Sequence, residues 1–178
     1  MSKINERTSC YFTPFLALTC VQQNDICSLR IVCTMAGDNK KHELEEVDCY
    51  GNTALLKACY LGKLEAAITL LQFGANVRAV NHYGQNALTL ATCSGNMDLI
   101  RELLRYCSYR EFNNSTLTPA LCVATMRQNW PLVKFYEDLD NHNSEDIQTA
   151  HGLNCEDIMS FFNLRKPVAT KQFKSIHI

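Results

Sequence analysis

The amino-acid sequence predicts an all-α solenoid of about four to five stacked helix-turn-helix units with turn or β-hairpin tips. Two observations carry this prediction: a 33-residue period runs through the middle of the chain, and each period holds two short stretches with helical spacing of apolar residues. Composition agrees, because 178 residues, 47% of them hydrophobic and 20% charged, can bury the continuous core that such a stack needs.

The period shows as two well-matched copies and a degenerate one. Gly51-Asn-Thr-Ala-Leu returns as Gly84-Gln-Asn-Ala-Leu, and Gly62-Lys-Leu-Glu returns as Gly95-Asn-Met-Asp. A further step of 33 residues reaches a third copy in which Gln128 replaces the glycine. The matched positions are Ala54, Ala87 and Ala120; Leu55, Leu88 and Leu121; Ala58, Ala91 and Ala124; and Leu70 with Leu103.

Each copy has the signals of a turn followed by two antiparallel helices. In the first good copy Thr53 is suited to N-cap a helix, as is Asn86 in the next, and the pattern predicts helices over 54–61 and 64–73. Gly62 and Gly74 are suited to the left-handed conformation that ends a helix. One such helix pair cannot bury its own apolar face, so the copies are expected to stack.

This pattern resembles the ankyrin repeat, specifically over residues 48–109 and, with the degenerate copy, over about 48–137. In that copy Thr118-Pro119 looks like the family's Thr-Pro helix start, whereas a strict 33-residue offset places Pro119 on the cap; a turn shortened by one residue would reconcile the two. The family often carries His two residues after this Thr-Pro. Here Leu16, Leu56 and Thr89 stand in its place, so we expect fewer hydrogen bonds between turns and modest stability.

The flanking segments complete the predicted domain organisation. Thr13-Pro14 is a plausible helix opening, a second helix fits 25–34, and the charged stretch 36–48 makes a long solvated loop. A closing helix pair is expected near residues 152–159, because terminal repeats are atypical. The predicted divisions are an N-terminal arm (1–10), a repeat domain (11–163, with repeats at about 11–47, 48–80, 81–113 and 114–143 and a terminal cap at 144–163) and a C-terminal tail (164–178).

Charge and targeting signals argue against several classes of function. The formal net charge of −1 gives no electrostatic case for binding nucleic acid or an anionic membrane. The apolar run 11–21 is too short to span a bilayer, and the N-terminus is polar, so we expect an intracellular protein of the cytoplasm or nucleus. The ten cysteines lack the close pairing of zinc ligands and are expected to be reduced structural thiols.

The sequence does not predict catalysis or a cofactor. The five histidines are spread over loops and the tail, and neither a nucleophile motif nor a glycine-rich phosphate loop is present. Glu65 and Asp98 recur at one repeat position, where they favour the helix N-terminal dipole. We therefore expect a protein that is not an enzyme and has no metal.

The resemblance implies a concave binding surface built from turn tips and helix ends. Carried onto this sequence, its contact positions include Tyr50, Asn52, Tyr60, Leu61, Phe73, His82, Tyr83, Gln85 and Tyr106, together with Cys49, Cys93 and Ser94. Five of these twelve residues are aromatic, whereas random placement gives about one, and aromatic residues are enriched in binding hot spots. The alternative is that Phe73 and Tyr106 pack under the next turn; Trp130 is expected to fill the core.

The resemblance implies a monomeric protein-protein interaction module acting as adaptor, scaffold or inhibitor. Among short ankyrin proteins, inhibitors of Rel-type transcription factors are one possible likeness. The alternative from another class is a metal- or redox-responsive protein, or an enzyme, that uses Cys20, Cys27 and Cys33.

Overall fold

A computed structural model describes residues 16–35, 44–139 and 147–166, which contain ten α-helices. They are α1 (Leu16–Gln23), α2 (Ile26–Met35), α3 (Ala54–Tyr60), α4 (Leu64–Gln72), α5 (Ala87–Ser94), α6 (Met97–Tyr106), α7 (Tyr109–Asn114), α8 (Ala120–Met126), α9 (Trp130–Leu139) and α10 (Cys155–Phe161). The predicted arm, the Thr13-Pro14 helix opening, most of the loop at 36–48 and the tail beyond residue 166 lie outside the described residues.

The helices form two rows. The first helices of the units, α1, α3, α5, α8 and α10, pack one against the next and make the inner row. The second helices α2, α4 and α6 make the outer row, and each second helix also packs on the first helix of its own unit. The predicted all-α solenoid of stacked helix pairs is therefore confirmed.

Small residues allow the inner helices to approach closely. Ala58, Ala91 and Ala124 are fully buried at equivalent positions of α3, α5 and α8. On the outer row, Leu70 and Leu103 have no exposed surface, as their repeat positions predict. These side chains belong to one continuous core that runs through the stack.

The 33-residue register is kept through the degenerate copy. Ala54, Ala87 and Ala120 each begin an inner helix, so the turn shortened by one residue is wrong. Pro119 occupies the N-cap of α8 with an extended backbone and makes no side-chain capping bond. The Thr53 and Asn86 side chains, by contrast, each accept the backbone N–H three residues ahead. The threonine of the Thr-Pro dipeptide therefore lies one residue before the N-cap position, too early in the chain to cap α8.

A left-handed residue separates the two helices of each unit. Gly95 adopts φ 75°, and its counterpart Gln128 adopts φ 55° although it is not glycine. Asn24 does the same in the first unit, at φ 59°. The connection between the two helices keeps its left-handed geometry where another residue replaces glycine, because asparagine and other polar residues adopt this backbone conformation at moderate cost.

The first unit contains five extra residues. Ile26 and Leu64, which begin α2 and α4, are 38 residues apart, compared with 33 between later units. The described part of the insertion is not wholly solvated as expected, because Leu44 is buried in the core. The Glu45 carboxylate accepts a hydrogen bond from the Asn76 backbone N–H at 2.8 Å, which ties the insertion to the next unit.

Helix α7 is an addition that the repeat pattern did not predict. Ser108 and Glu111 form a reciprocal capping box at its start, and Phe112 is buried below it. The Ser-x-x-Glu spacing was the sequence signal for this helix. It lies between the third unit and the fourth, where the Asn86 amide donates to the Phe112 carbonyl at 2.6 Å.

Hydrogen bonds join successive turns, and the expectation that there are fewer of them than in the family stays a prediction. The Leu117 N–H donates to the Gly84 carbonyl at 2.9 Å, and the Ala150 N–H donates to the Leu117 carbonyl at 2.8 Å. Thr89, at the position of the family's histidine, donates from its hydroxyl to the Thr118 carbonyl at 3.1 Å. Leu56, at the same position one unit earlier, is buried and apolar. Strand pairing within the described residues is limited to one bridge, between Val80 and Asn86.

The described residues close with a single helix where a pair was expected. Helix α10 begins at a capping box made by Asn154 and Asp157 and packs on α8. Its buried residues Cys155 and Ile158 face the stack, whereas Phe161 is 82% exposed.

Candidate functional site

Two equivalent turns build the candidate site. In the first turn (48–52), the Asp48 carboxylate accepts the backbone N–H groups of Tyr50 and Asn52, both at 2.9 Å. In the second turn (81–85), the Asn81 amide oxygen accepts those of Tyr83 and Gln85, both at 3.0 Å. An Asp or Asn at the first position of a turn thus fixes the residue at its tip.

The two turns are held against each other. The His82 N–H donates to the Tyr50 carbonyl at 3.1 Å, and the Asn81 amide donates to the Asn52 side-chain oxygen at 3.0 Å. The rings of Tyr50 and Tyr83 stack, with centroids 6.3 Å apart and planes 30° from parallel. Gly51 makes this approach possible: its φ is +77°, and a Cβ there would lie 2.8 Å from the His82 nitrogen.

A groove of about 300 Å³ opens beside this tyrosine pair. Its floor holds Lys57 of α3 and Leu90 of α5, which are equivalent residues one period apart. We call it the tyrosine groove; it is lined by Tyr50, Asn52, Lys57, Tyr60, Asn81, Tyr83, Gln85 and Leu90. The three tyrosines are between 51% and 61% exposed, so their rings are available to another molecule.

One ion pair lies at the edge of the tyrosine groove. Lys57 Nζ is 3.7 Å from the Asp48 carboxylate, and both side chains are mostly shielded from solvent. Partial burial acts to raise the pKa of Asp48, but hydrogen bonds from Asn52 and Tyr50 and the charge of Lys57 outweigh it. The pKa of Asp48 therefore lies below its ordinary value, and the carboxylate that shapes the first turn stays ionised at neutral pH.

The structure brings five of the nine candidate binding residues together in the tyrosine groove: Tyr50, Asn52, Tyr60, Tyr83 and Gln85. The other four lie elsewhere. Leu61 is exposed beside Tyr60, and His82 covers Gly51 at the turn tip. Phe73 is half-buried against the core, as its alternative interpretation expected, while Tyr106 is exposed at the end of α6. Trp130 likewise packs against the core.

Sequence reasoning missed the residues that hold this groove in shape. Asp48 and Asn81 are two such residues, and a polar Asx side chain two residues before each tip tyrosine was their sequence signal. Lys57 stands one helical turn before Tyr60, so the spacing of three residues already placed both on one face of α3. Leu90 is the residue equivalent to Lys57 one period later, so the same reasoning places it in the groove.

The cysteines of the first unit do not converge. Cys20 and Cys33 are buried in different helices, while Cys27 is exposed. Within the ranges 16–35, 44–139 and 147–166, no three His, Cys, Asp or Glu side chains are grouped as a metal ion requires. Burial raises the pKa of the Cys59 thiol, which keeps it protonated and unreactive.

No helix among the described residues is both long and apolar enough to cross a bilayer.

Comparison with known proteins supports the resemblance seen in the sequence. A family model of ankyrin repeats (three copies) matches residues 15–116. The chain is 58% identical over 142 residues to the DNA replication inhibitor plutonium of Drosophila melanogaster, which covers 80% of this chain and 82% of that protein. It is 37% identical over 68 residues to ankyrin repeat domain-containing protein 13B of Mus musculus, covering 38% of this chain and 11% of that protein. It is 36% identical over 59 residues to Notch-regulated ankyrin repeat-containing protein A of Danio rerio, covering 33% of this chain and 53% of that protein.

These relatives correct one expectation. The fruit-fly protein, matched over most of its length, is named for DNA replication and not for Rel-type transcription factors. The likeness to Rel inhibitors therefore has no support. The metal, redox or enzyme alternative is not favoured either.

Proposed function

Because the chain belongs to the ankyrin-repeat family, whose repeats indicate protein-protein interaction, we propose that it is a non-catalytic module that binds a protein partner in the tyrosine groove. The inner helices stack one on the next, and the turns that carry Tyr50 and Tyr83 lie side by side. We further propose that it acts as a monomer and does not bind nucleic acid, in keeping with its net charge of −1.

The observation that supports this proposal is the exposed tyrosine pair beside the groove. Tyr50 and Tyr83 lie in contact at the tips of adjacent units, and Tyr60 stands at the end of α3. Tyrosine offers a broad apolar ring and a polar hydroxyl with little side-chain entropy to lose, which suits a surface that is wet alone and dry in a complex. Folding does not require three such rings in solvent.

The fruit-fly relative suggests the process in which binding acts. That protein is named a DNA replication inhibitor and shares 58% identity over most of both chains. We propose that this chain restrains DNA replication as an inhibitor or adaptor, by occupying the surface of a protein that controls it. This function places its action in the nucleus, or in the cytoplasm before its partner enters the nucleus.

Complementation tests the proposal directly. Fruit-fly cells depleted of the relative would receive the wild-type chain or a Tyr60→Ser, Tyr83→Ser double variant, and DNA content would be measured by flow cytometry. We expect the wild-type chain to lower excess DNA content and the double variant to fail at equal abundance. Equal rescue by the double variant would count against the tyrosine groove, and no rescue by the wild type would count against the replication role.

A further inference from the structure

The hydrogen-bond acceptors at the rim of the tyrosine groove are already engaged. The Asn81 side chain donates to the side-chain oxygens of Asn52, at 3.0 Å, and Gln85, at 3.1 Å. The backbone carbonyls of Tyr50, Asn52, Asn81 and Gln85 each accept an N–H from within the two turns. A partner that offers mainly donors would therefore compete with bonds that hold the turns together.

Two donor groups of the same groove, the Gln85 amide and the Lys57 ammonium, are open. Gln85 uses its side-chain oxygen, but its amide N–H groups donate to no atom of the described residues. Lys57 has three N–H groups, and its nearest carboxylate, Asp48, is 3.7 Å away, beyond the about 2.7–2.9 Å of a charge-assisted hydrogen bond. Asp48 Oδ1 accepts the backbone N–H groups of Tyr50 and Asn52, and Oδ2 accepts the Asn52 side-chain amide at 3.2 Å. The Lys57 ammonium donates to no atom of the described residues within hydrogen-bond distance.

The walls of the tyrosine groove limit what can carry the acceptor. The rings of Tyr50 and Tyr60 and the Leu90 side chain are apolar surfaces on which methylene groups can pack. A volume of about 300 Å³ is at the lower end of the range for ligand pockets, so it admits one or two side chains of a protein segment and not a whole helix. An acceptor on a short aliphatic stem meets both requirements.

We propose that the tyrosine groove binds an acidic side chain, Glu or Asp, from an extended segment of the partner protein. This inference rests on the proposed function. The carboxylate accepts from the Lys57 ammonium and the Gln85 amide, and its methylene groups pack against the tyrosine rings. The site is partly sheltered from water, so the charge-assisted bonds are stronger there than on an open surface.

Selection from a displayed library of random 12-residue peptides, with the intact chain as bait, tests this. We expect the enriched peptides to share a Glu or Asp. A synthetic peptide of this set should bind about tenfold more tightly than its Glu→Gln counterpart by fluorescence anisotropy, since a hydrogen bond to a charged group has this weight. The difference should shrink as salt is added. Absence of any enriched peptide, or enrichment without an acidic residue, would overturn the proposal.

Two variants test whether Lys57 is responsible for the preference for an acidic side chain. Lys57→Met keeps the aliphatic stem and should abolish the preference for Glu over Gln, whereas Lys63→Met removes an equal charge outside the groove and should retain it. A preference that survives Lys57→Met would overturn the proposal; if that variant unfolds, the salt dependence on the wild type decides. If peptides lose binding with Tyr60→Ser, Tyr83→Ser but show no preference for Glu, the acidic ligand is wrong while the proposed groove stands. If that double variant binds normally, both fail.

Discussion

Leu103 is the side chain on which the outer row depends most clearly. It lies inside α6 with no exposed surface, and its counterpart Leu70 is equally buried in α4. Leu103→Ala should lower the free energy of unfolding by about 2–5 kcal/mol, because it removes buried methyl groups and leaves a cavity. Arg101→Ala, on the exposed face of the same helix, should change it by less than about 0.5 kcal/mol. Urea denaturation followed by circular dichroism measures both; equal effects would show that the helix faces are misassigned.

Gly51 is the residue that lets the two tyrosine-bearing turns meet. Gly74→Ala introduces a side chain at φ +88° with nothing within 4 Å, so it should cost about 1–2 kcal/mol from the backbone conformation alone. Gly51→Ala adds a contact of 2.8 Å with the His82 nitrogen and should cost at least about 1 kcal/mol more. Urea denaturation of the matched pair measures the difference, and a smaller cost at Gly51 than at Gly74 would contradict the close approach.

At the scale of the element, Asn86 does more than cap a helix. It accepts the Thr89 N–H at the start of α5, and its amide donates to the Phe112 carbonyl of α7 at 2.6 Å while fully buried. Asn86→Ala should therefore cost about 2 kcal/mol, because the buried hydrogen bond to the Phe112 carbonyl is lost as well as the cap. Thr53→Ala, which removes the equivalent cap on α3 alone, should cost about 1 kcal/mol. Thermal unfolding measures which of the two variants loses more stability. A larger loss for Thr53→Ala than for Asn86→Ala would contradict a stabilising link between Asn86 and α7.

The elements also show which parts of the fold a sequence can reveal. The 33-residue period predicts where α3, α5 and α8 begin because the same close contact recurs between each pair of inner helices. It cannot place α7, which has no counterpart in the other units; only the local capping box at Ser108 signalled it. Nor does a period reveal that Gln128 keeps the left-handed conformation of Gly95, since that depends on the packing of the helices on either side.

Part of the candidate site could likewise be predicted from the sequence, and part could not. Tip tyrosines one period apart had to become neighbours in a stack, and Tyr50 and Tyr83 are in contact. The floor of the groove combines Lys57 and Leu90, which share a repeat position but not a chemistry. Comparing the repeat copies identifies positions where the side chains are the same, so it does not single out a pair of equivalent positions with different side chains. Phe73 and Tyr106 share a repeat position too, yet only Tyr106 is exposed, because side-chain burial depends on what the neighbouring unit supplies.

At the scale of the molecule, the first turn makes stability depend on pH. Because the pKa of Asp48 is lower in the fold than in the unfolded chain, its contribution is present above the ordinary value of about 4 and is lost as pH falls through the lowered pKa. Asp48→Asn, which copies Asn81 of the second turn, should make the fall in stability below pH 4 shallower. Urea midpoints measured between pH 2 and 7 test this, and an unchanged pH profile would show that Asp48 does not contribute through its charge.

The central claim is that the stack binds its partner through the tyrosine groove. Its most direct test is affinity capture with the wild-type chain, the Tyr60→Ser, Tyr83→Ser double variant and a Phe161→Ser control, whose ring is exposed on α10 outside the groove. Unfolding of each variant and recovery of the captured protein would be measured side by side. We predict that the double variant stays within about 1 kcal/mol of wild-type stability and weakens binding by about 2 kcal/mol or more, while the control does neither. A folded double variant that binds as the wild type does would contradict the account.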